Sequence, residues 1–264
     1  MRYLDTVMGI PMSIDIRDAG DHQVAAAEAF ATMHQADAIF SPYRPDSELS
    51  RLNRAELTLA TVGGLFTEVY KLASRFAAVS GGVFALQNPS GEWDLNGIVK
   101  GWAAQCAAQR LRDLGVANFC LNAGGDVVVA GNSEPGMAWN VGIRSPESAQ
   151  QMLAVLALRD MAVATSATYE RGEHILDGRT GRPGHGFLSV SVIAADLTTA
   201  DVLATTVFAM GSEGPRWAAE RYDCSILALT EGGAFIDAGD LRRWLVPAGR
   251  SLDAAGRVPS LYGN

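Results

Sequence analysis

Phe119-Cys120-Leu121-Asn122-Ala123-Gly124-Gly125-Asp126-Val127-Val128-Val129-Ala130-Gly131 contains two strand-like runs joined across a diglycine. A glycine pair in such a setting marks a bulge, a sharp turn or a place where something approaches the backbone closely, and a hairpin bulge is the commonest of these. Downstream the chain keeps mostly to strands. Trp139 to Ile143 and Leu153 to Leu158 read as extended, with a turn near Ser145-Pro146. Met161 to Ser166 follows and runs into the polar Thr168-Tyr169-Glu170-Arg171-Gly172, and Leu188 to Ala194 is the next strand. A helix over Thr199 to Met210, a helix around Ala218 and a strand from Cys224 to Leu229 complete the pattern. Runs of strands in place of strict β-α-β alternation predict an α+β architecture: mainly antiparallel sheets with flanking helices. No repeat or linker divides the chain, so residues 1–264 are expected to form a single unit.

Upstream, Ile10 to Ile16 reads as a strand after Met8-Gly9 and ends at Arg17-Asp18-Ala19-Gly20. A helix is expected from Asp21, which can cap it, to Phe40, with Val24, Ala27, Phe30, Ala31, Ala38 and Ile39 at helical spacing. Ser41-Pro42-Tyr43-Arg44-Pro45-Asp46 breaks it. Two prolines hold Tyr43 in a stiff loop, where its ring either presents an aromatic face or covers a helix end. Ser47 to Asn53 reads as a short helical turn, and Leu65 to Val79 as a second long helix closed by Ser80-Gly81-Gly82.

Between these halves lies Asp94-Leu95-Asn96-Gly97-Ile98-Val99-Lys100-Gly101, which leads into the Ala- and Gln-rich Trp102 to Leu111. An extended segment turning into a helix N-terminus leaves backbone N–H groups that favour anions, and Lys100 adds a full charge there. Phosphate or pyrophosphate would suit that seat; a capped helix with a solvated lysine is the plainer alternative. Asp94 fits beside a phosphate only with a metal ion or a ligand donor between them. On the helix from Thr199, Asp201 and Thr205 stand one turn apart and offer a carboxylate and a hydroxyl on one face. Oxygen-only ligands suit Mg²⁺, although an isolated pair of this kind more often bonds to nearby backbone. His174-Ile175-Leu176-Asp177-Gly178-Arg179-Thr180-Gly181 combines a histidine able to act as acid or base, a carboxylate and a guanidinium, or else forms a polar turn.

The net charge of −8 excludes a surface built to neutralise nucleic-acid phosphates, so an anionic ligand must be captured locally. No apolar run is long enough to span a bilayer, and Met1-Arg2-Tyr3-Leu4-Asp5 lacks the apolar core of a signal peptide. Cys106, Cys120 and Cys224 lack the spacing of a zinc site or disulfide framework and read as reduced core residues. A cytoplasmic location is expected.

Taken in order, these pieces resemble one family. Met8-Gly9, Ser41-Pro42-Tyr43 with Ser47 to Asn53, the D-L-x-G-I-x-K-G of 94–101, Asn122 to Asp126, Ala164-Thr165-Ser166, the H-I-x-D-x-R-T-G of 174–181, and Ala200-Asp201 with Thr205 are similar to the motifs of ApbE-type flavin transferases. The resemblance covers residues 7–211 and implies an ApbE-like, T-fold-related fold. It implies an FAD:protein FMN transferase in which Mg²⁺ is held by Asp201, Thr205 and the Gly97 carbonyl and acts on the FAD pyrophosphate. It further implies that Met8, Tyr43, Asp94, Lys100 and Ile175 bind FAD as substrate, with His174 and Asp201 catalytic. The partner would be an acceptor protein with an exposed Thr or Ser in a flavinylation motif. The alternatives are hydrolysis of FAD to FMN and AMP, or a non-catalytic FAD-binding protein.

The sequence also departs from the family pattern. Gly82-Val83-Phe84-Ala85 lacks the usual aspartate and stands only a few residues before Asp94; Gly178 replaces the usual proline, and Ala167 the usual glycine. The magnesium and phosphate end is therefore expected to be intact and the flavin or adenosine end more open.

Overall fold

The computed structural model describes residues 1–148, 150–167 and 175–247. Strands β1 (Arg2–Val7) and β2 (Ile10–Ile16) form a hairpin, and four helices follow: α1 (Gln23–Phe40), α2 (Glu48–Asn53), α3 (Gly64–Val79) and α4 (Asn96–Asp113). The chain returns through β3 (Phe119–Ala123), β4 (Asp126–Ala130), the pair β5 (Trp139–Arg144) and β6 (Met152–Leu158), then β7 (Ala162–Ala167). A small hairpin of β8 (Leu176–Asp177) and β9 (Arg182–Pro183) precedes β10 (Phe187–Ala194). Helices α5 (Leu197–Met210) and α6 (Gly214–Arg221) lead to β11 (Cys224–Thr230) and β12 (Phe235–Ala238).

The main sheet has eight strands in the order β1-β2-β3-β4-β7-β10-β11-β12, and its neighbouring pairs are antiparallel. The expected α+β architecture with antiparallel sheets is observed. Side chains alternate between the two faces of a strand, so a fully buried strand must meet a core on each side. β4 is such a strand. Val128 joins the helix-side core with Ile14, Leu121, Val190 and Ile226, while Val127 and Val129 face Trp139, Leu156 and Leu158 of the β5–β6 pair.

Helix boundaries follow local chemistry. Asp21 accepts from the Gln23 N–H at 2.9 Å, so it does support the start of α1, although His22 takes the cap position. The apolar face of α1 differs from the expected one. Val24 is 74% exposed and Ala27, Ala31 and Ala38 are exposed, while Ala26, Phe30, Met33 and Phe40 are buried. An alanine-rich helix has no unique apolar stripe, and the larger side chains select the face that packs. Ser47 caps α2 by accepting from Ser50 N at 3.0 Å. α3 ends as its glycines predict, with Gly82 N–H bonded to Ala77 O at 2.8 Å and Gly81 N–H to Ala78 O at 3.2 Å. Asp196, three residues before the expected start of α5, accepts from Thr199 N at 2.8 Å and begins that helix earlier, at Leu197.

Candidate active site

Gly97 and Gly101 are one turn apart on α4, and Thr205 and Asp201 are one turn apart on α5. The two pairs face each other. A Cβ on Gly101 would lie 2.6 Å from Asp201 Cβ, and one on Gly97 would lie 3.7 Å from Thr205 Cγ2. The absence of side chains at both glycines therefore brings the helix backbones together and sets the Asp201 carboxylate against the first turns of α4. Gly101 N–H, which in a regular helix belongs to the Gly97 carbonyl, is engaged by Asp201 Oδ2 at 2.9 Å. Thr205 Oγ1 is 3.2 Å from Ser166 Oγ on β7.

Lys100, on the same part of α4, joins this crossing to the sheet. Its Nζ bonds to Asp126 Oδ2 and lies 3.7 Å from Asp201 Oδ1. Asp126 opens β4, directly after the Gly124-Gly125 turn, where both glycines take positive φ, 67° and 110°. That conformation suits glycine and makes the turn tight enough to aim the aspartate inward. Asp126 Oδ1 accepts the Thr165 N–H at 3.0 Å. Asp126 and Ser166 belong to this site although the sequence reading gave neither a role. A carboxylate at the head of a strand that otherwise reads Val-Val-Val-Ala was an available signal, because burial of an unpaired charge there would be costly.

The remaining candidates lie in varied places. Met8, with φ of 55°, and Gly9 form the two-residue β1–β2 turn, and the adjoining Ile10 packs on Gly124 in the turn that precedes Asp126. Asp94 Oδ1 accepts Asn96 N–H at 2.9 Å and so organises the start of α4. The segment before it is held to α2 by Asn53, which donates to Trp93 O at 3.0 Å and accepts from Trp93 N at 2.8 Å. Tyr43 is 85% exposed. Its loop is pinned from within by Ser47 Oγ bonded to Ser41 O at 2.7 Å. Ile175 is buried in the helix-side core. His174 and the polar Thr168 to Gly172 lie outside the described residues.

Arg179 is occupied by its own turn. Its guanidinium donates to Asp177 at 2.7 to 3.1 Å, and that bonding holds the Asp177 carboxyl below its usual range against the opposing effect of burial. Two of the departures noted above meet here. Gly178 N–H bonds to Val83 O at 2.9 Å, and a Cβ on Gly178 would lie 2.5 Å from Ala85 Cβ. The cysteines are free; burial pushes the Cys106 and Cys224 thiols up to about 11 and Cys120 to about 12, so none is a ready nucleophile. Among the described residues, no group of three or more His, Cys, Asp or Glu is arranged to hold a metal ion, and no helix is long and apolar enough to cross a membrane.

A 32% identical relative from Vibrio cholerae serotype O1, named FAD:protein FMN transferase, matches over 148 residues, 52% of this chain and 44% of its own. A Rhodobacter capsulatus protein of the same name is 34% identical over 175 residues, 62% of this chain and 33% of its own. The matched region thus spans less than half the length of either relative. In structure, the flavin transferase ApbE from Vibrio cholerae superposes with a TM-score of 0.79 at 23% identity, covering 93% of this chain and 99% of that one, a likeness of fold. The model of the ApbE family matches residues 8–90 and 85–228, most of the sheet and both helices of the crossing, and the chain belongs to the ApbE family.

Proposed function

We propose that this chain is a Mg²⁺-dependent FAD:protein FMN transferase. The observation that carries this reading is the α4–α5 crossing, where Gly97, Lys100, Asp201 and Thr205 converge. Carboxylate, hydroxyl and carbonyl oxygens without a sulfur or imidazole ligand suit a hard cation that keeps waters and takes substrate phosphate, so the donor set fits magnesium. Asp201, Thr205 and the Gly97 carbonyl would hold Mg²⁺, which supplies Lewis-acid polarisation of the FAD pyrophosphate when bound.

The chain's own groups do the rest. Lys100 would contribute positive charge beside the pyrophosphate, and Asp94 and Met8 would contact the FAD. The exposed Tyr43 offers its ring to a flat part of FAD, most simply the flavin. Ile175, buried in the helix-side core at the start of the 175–181 turn, would line the pocket. The acceptor's Thr or Ser oxygen bonds to the FMN phosphorus as the bond from that phosphorus to the bridging oxygen breaks. AMP leaves with that oxygen, and the hydroxyl proton passes to a base, the role assigned to His174.

The test mixes the protein with FAD, Mg²⁺ and a candidate acceptor domain and follows acceptor mass and AMP, with Asp201→Ala as control. One FMN mass gained on the acceptor, lost in the control, is expected. AMP without labelling would replace transfer by hydrolysis, and no AMP under any condition would leave a binding protein.

A further inference from the structure

Asp126 is 2% exposed, and both of its oxygens are committed. Oδ1 takes the Thr165 N–H at 3.0 Å and Oδ2 takes the Lys100 ammonium. That ammonium also faces Asp201 Oδ1 at 3.7 Å, across side chains only 22%, 3% and 7% exposed for Lys100, Asp126 and Asp201. One cation thus stands between two nearly dry carboxylates, the three groups carried on three different elements, hydrogen-bonded to the first and in a looser ion pair with the second.

We propose that Asp126 is a positioning residue: it draws the Lys100 ammonium off Asp201 and keeps these three groups at one net negative charge, so that Asp201 stays open to a divalent cation. This rests on the metal-dependent reading above. Lys100 has a flexible four-carbon stem, and without the Asp126 charge its nearest acid in this cluster would be Asp201. The pair would then close and neutralise itself, and an arriving dication would have to displace an ammonium in a site where charges are weakly screened. The Thr165 N–H matters because it fixes Asp126 between β4 and β7, so the carboxylate cannot follow the ammonium toward Asp201.

The substitutions that separate charge from packing are Asp126→Asn, Lys100→Met and their combination. Asparagine keeps an oxygen for the Thr165 N–H. The probe is Mn²⁺ alone, without FAD, followed by electron paramagnetic resonance, with thermal melting of each metal-free protein alongside. Asp126→Asn is expected to bind Mn²⁺ at least tenfold more weakly than the parent. Adding Lys100→Met to it is expected to restore binding to within about threefold, because the net charge returns and the competing ammonium is gone. Lys100→Met alone should bind no more weakly than the parent. A folding defect at position 126 would not be repaired by a second substitution in the same cluster, so failure of that recovery overturns the proposal. Undiminished Mn²⁺ binding by Asp126→Asn also overturns it, as does a parent protein that binds no Mn²⁺. AMP release by the parent judges the transfer reading separately.

Discussion

A methyl group added at Gly101 would lie 2.6 Å from Asp201 Cβ and 2.7 Å from the Leu197 carbonyl oxygen. In an exposed helix, replacing glycine by alanine gains about 1 kcal/mol. Here one of the neighbours is backbone and cannot turn aside, and overpacking of this kind costs about 1–3 kcal/mol. The two effects oppose each other and the second should win. Gly101→Ala is expected to lose about 1–2 kcal/mol in urea unfolding and to release its N–H from Asp201, reducing the proposed flavin transfer as well. A variant as stable as the parent would mean that the two helices do not touch as described. The reach of sequence reading at this scale is set by distance along the chain. Asp201 and Thr205 were legible because one helical turn relates them, and Lys100 because it shares a helix start with Gly97. Asp126 stood out only as part of the Asn122 to Asp126 motif; its pairing was not legible, since its partners Lys100 and Thr165 are 26 and 39 residues away and no local period connects them.

Among the elements, the segment from Leu86 to Asp94 shows how a short connection can be held without regular structure. Leu86 O takes the Asp94 N–H at 2.9 Å, Asn88 O takes the Gly91 N–H at 2.9 Å, and Asn53 grips both backbone groups of Trp93 from α2. Trp93 also meets Tyr70 of α3 edge-on at 5.7 Å. Asn53→Ala removes two solvent-accessible hydrogen bonds, which contribute about 1 kcal/mol together, so the fold should survive. The amides of Trp93, Asp94 and Asn96 should nevertheless exchange faster, and on the proposed function FAD should bind more weakly, because Asp94 organises the start of α4. Unchanged exchange there would show that Asn53 is not the clamp. Elements with a strong period or clear caps were legible: β2, α3, β6 and β11 stand within a residue or two of expectation. β1 was not, because Arg2-Tyr3-Leu4-Asp5-Thr6-Val7 forms the sheet's edge and only Val7 is buried. β12 is half exposed, and β8 and β9 have two residues each, too few to show an alternation.

For the whole molecule, the decisive feature is that two cores share one sheet. Val128 and Val192 point to the helices while Val127 and Ile193, on the same strands, point to the β5–β6 pair. Neither core can lose its strands without exposing the other, so the two are expected to unfold together. The site is built across this arrangement, with Asp126 on β4, Thr165 on β7 and Lys100 on α4, and damage far from it should reach it only through global stability. Leu156, fully buried on β6 in the second core, provides the test. Leu156→Ala should lose about 2–5 kcal/mol. If the cores act as one, far-ultraviolet circular dichroism, which follows the helices, and tryptophan fluorescence, which includes Trp139 in the same core as Leu156, should shift together and keep coincident midpoints. Below the transition, Mn²⁺ affinity should stay as in the parent. Separate midpoints would mean that the β5–β6 layer melts on its own. A changed Mn²⁺ affinity in the still-folded variant would mean that the second core positions the site directly.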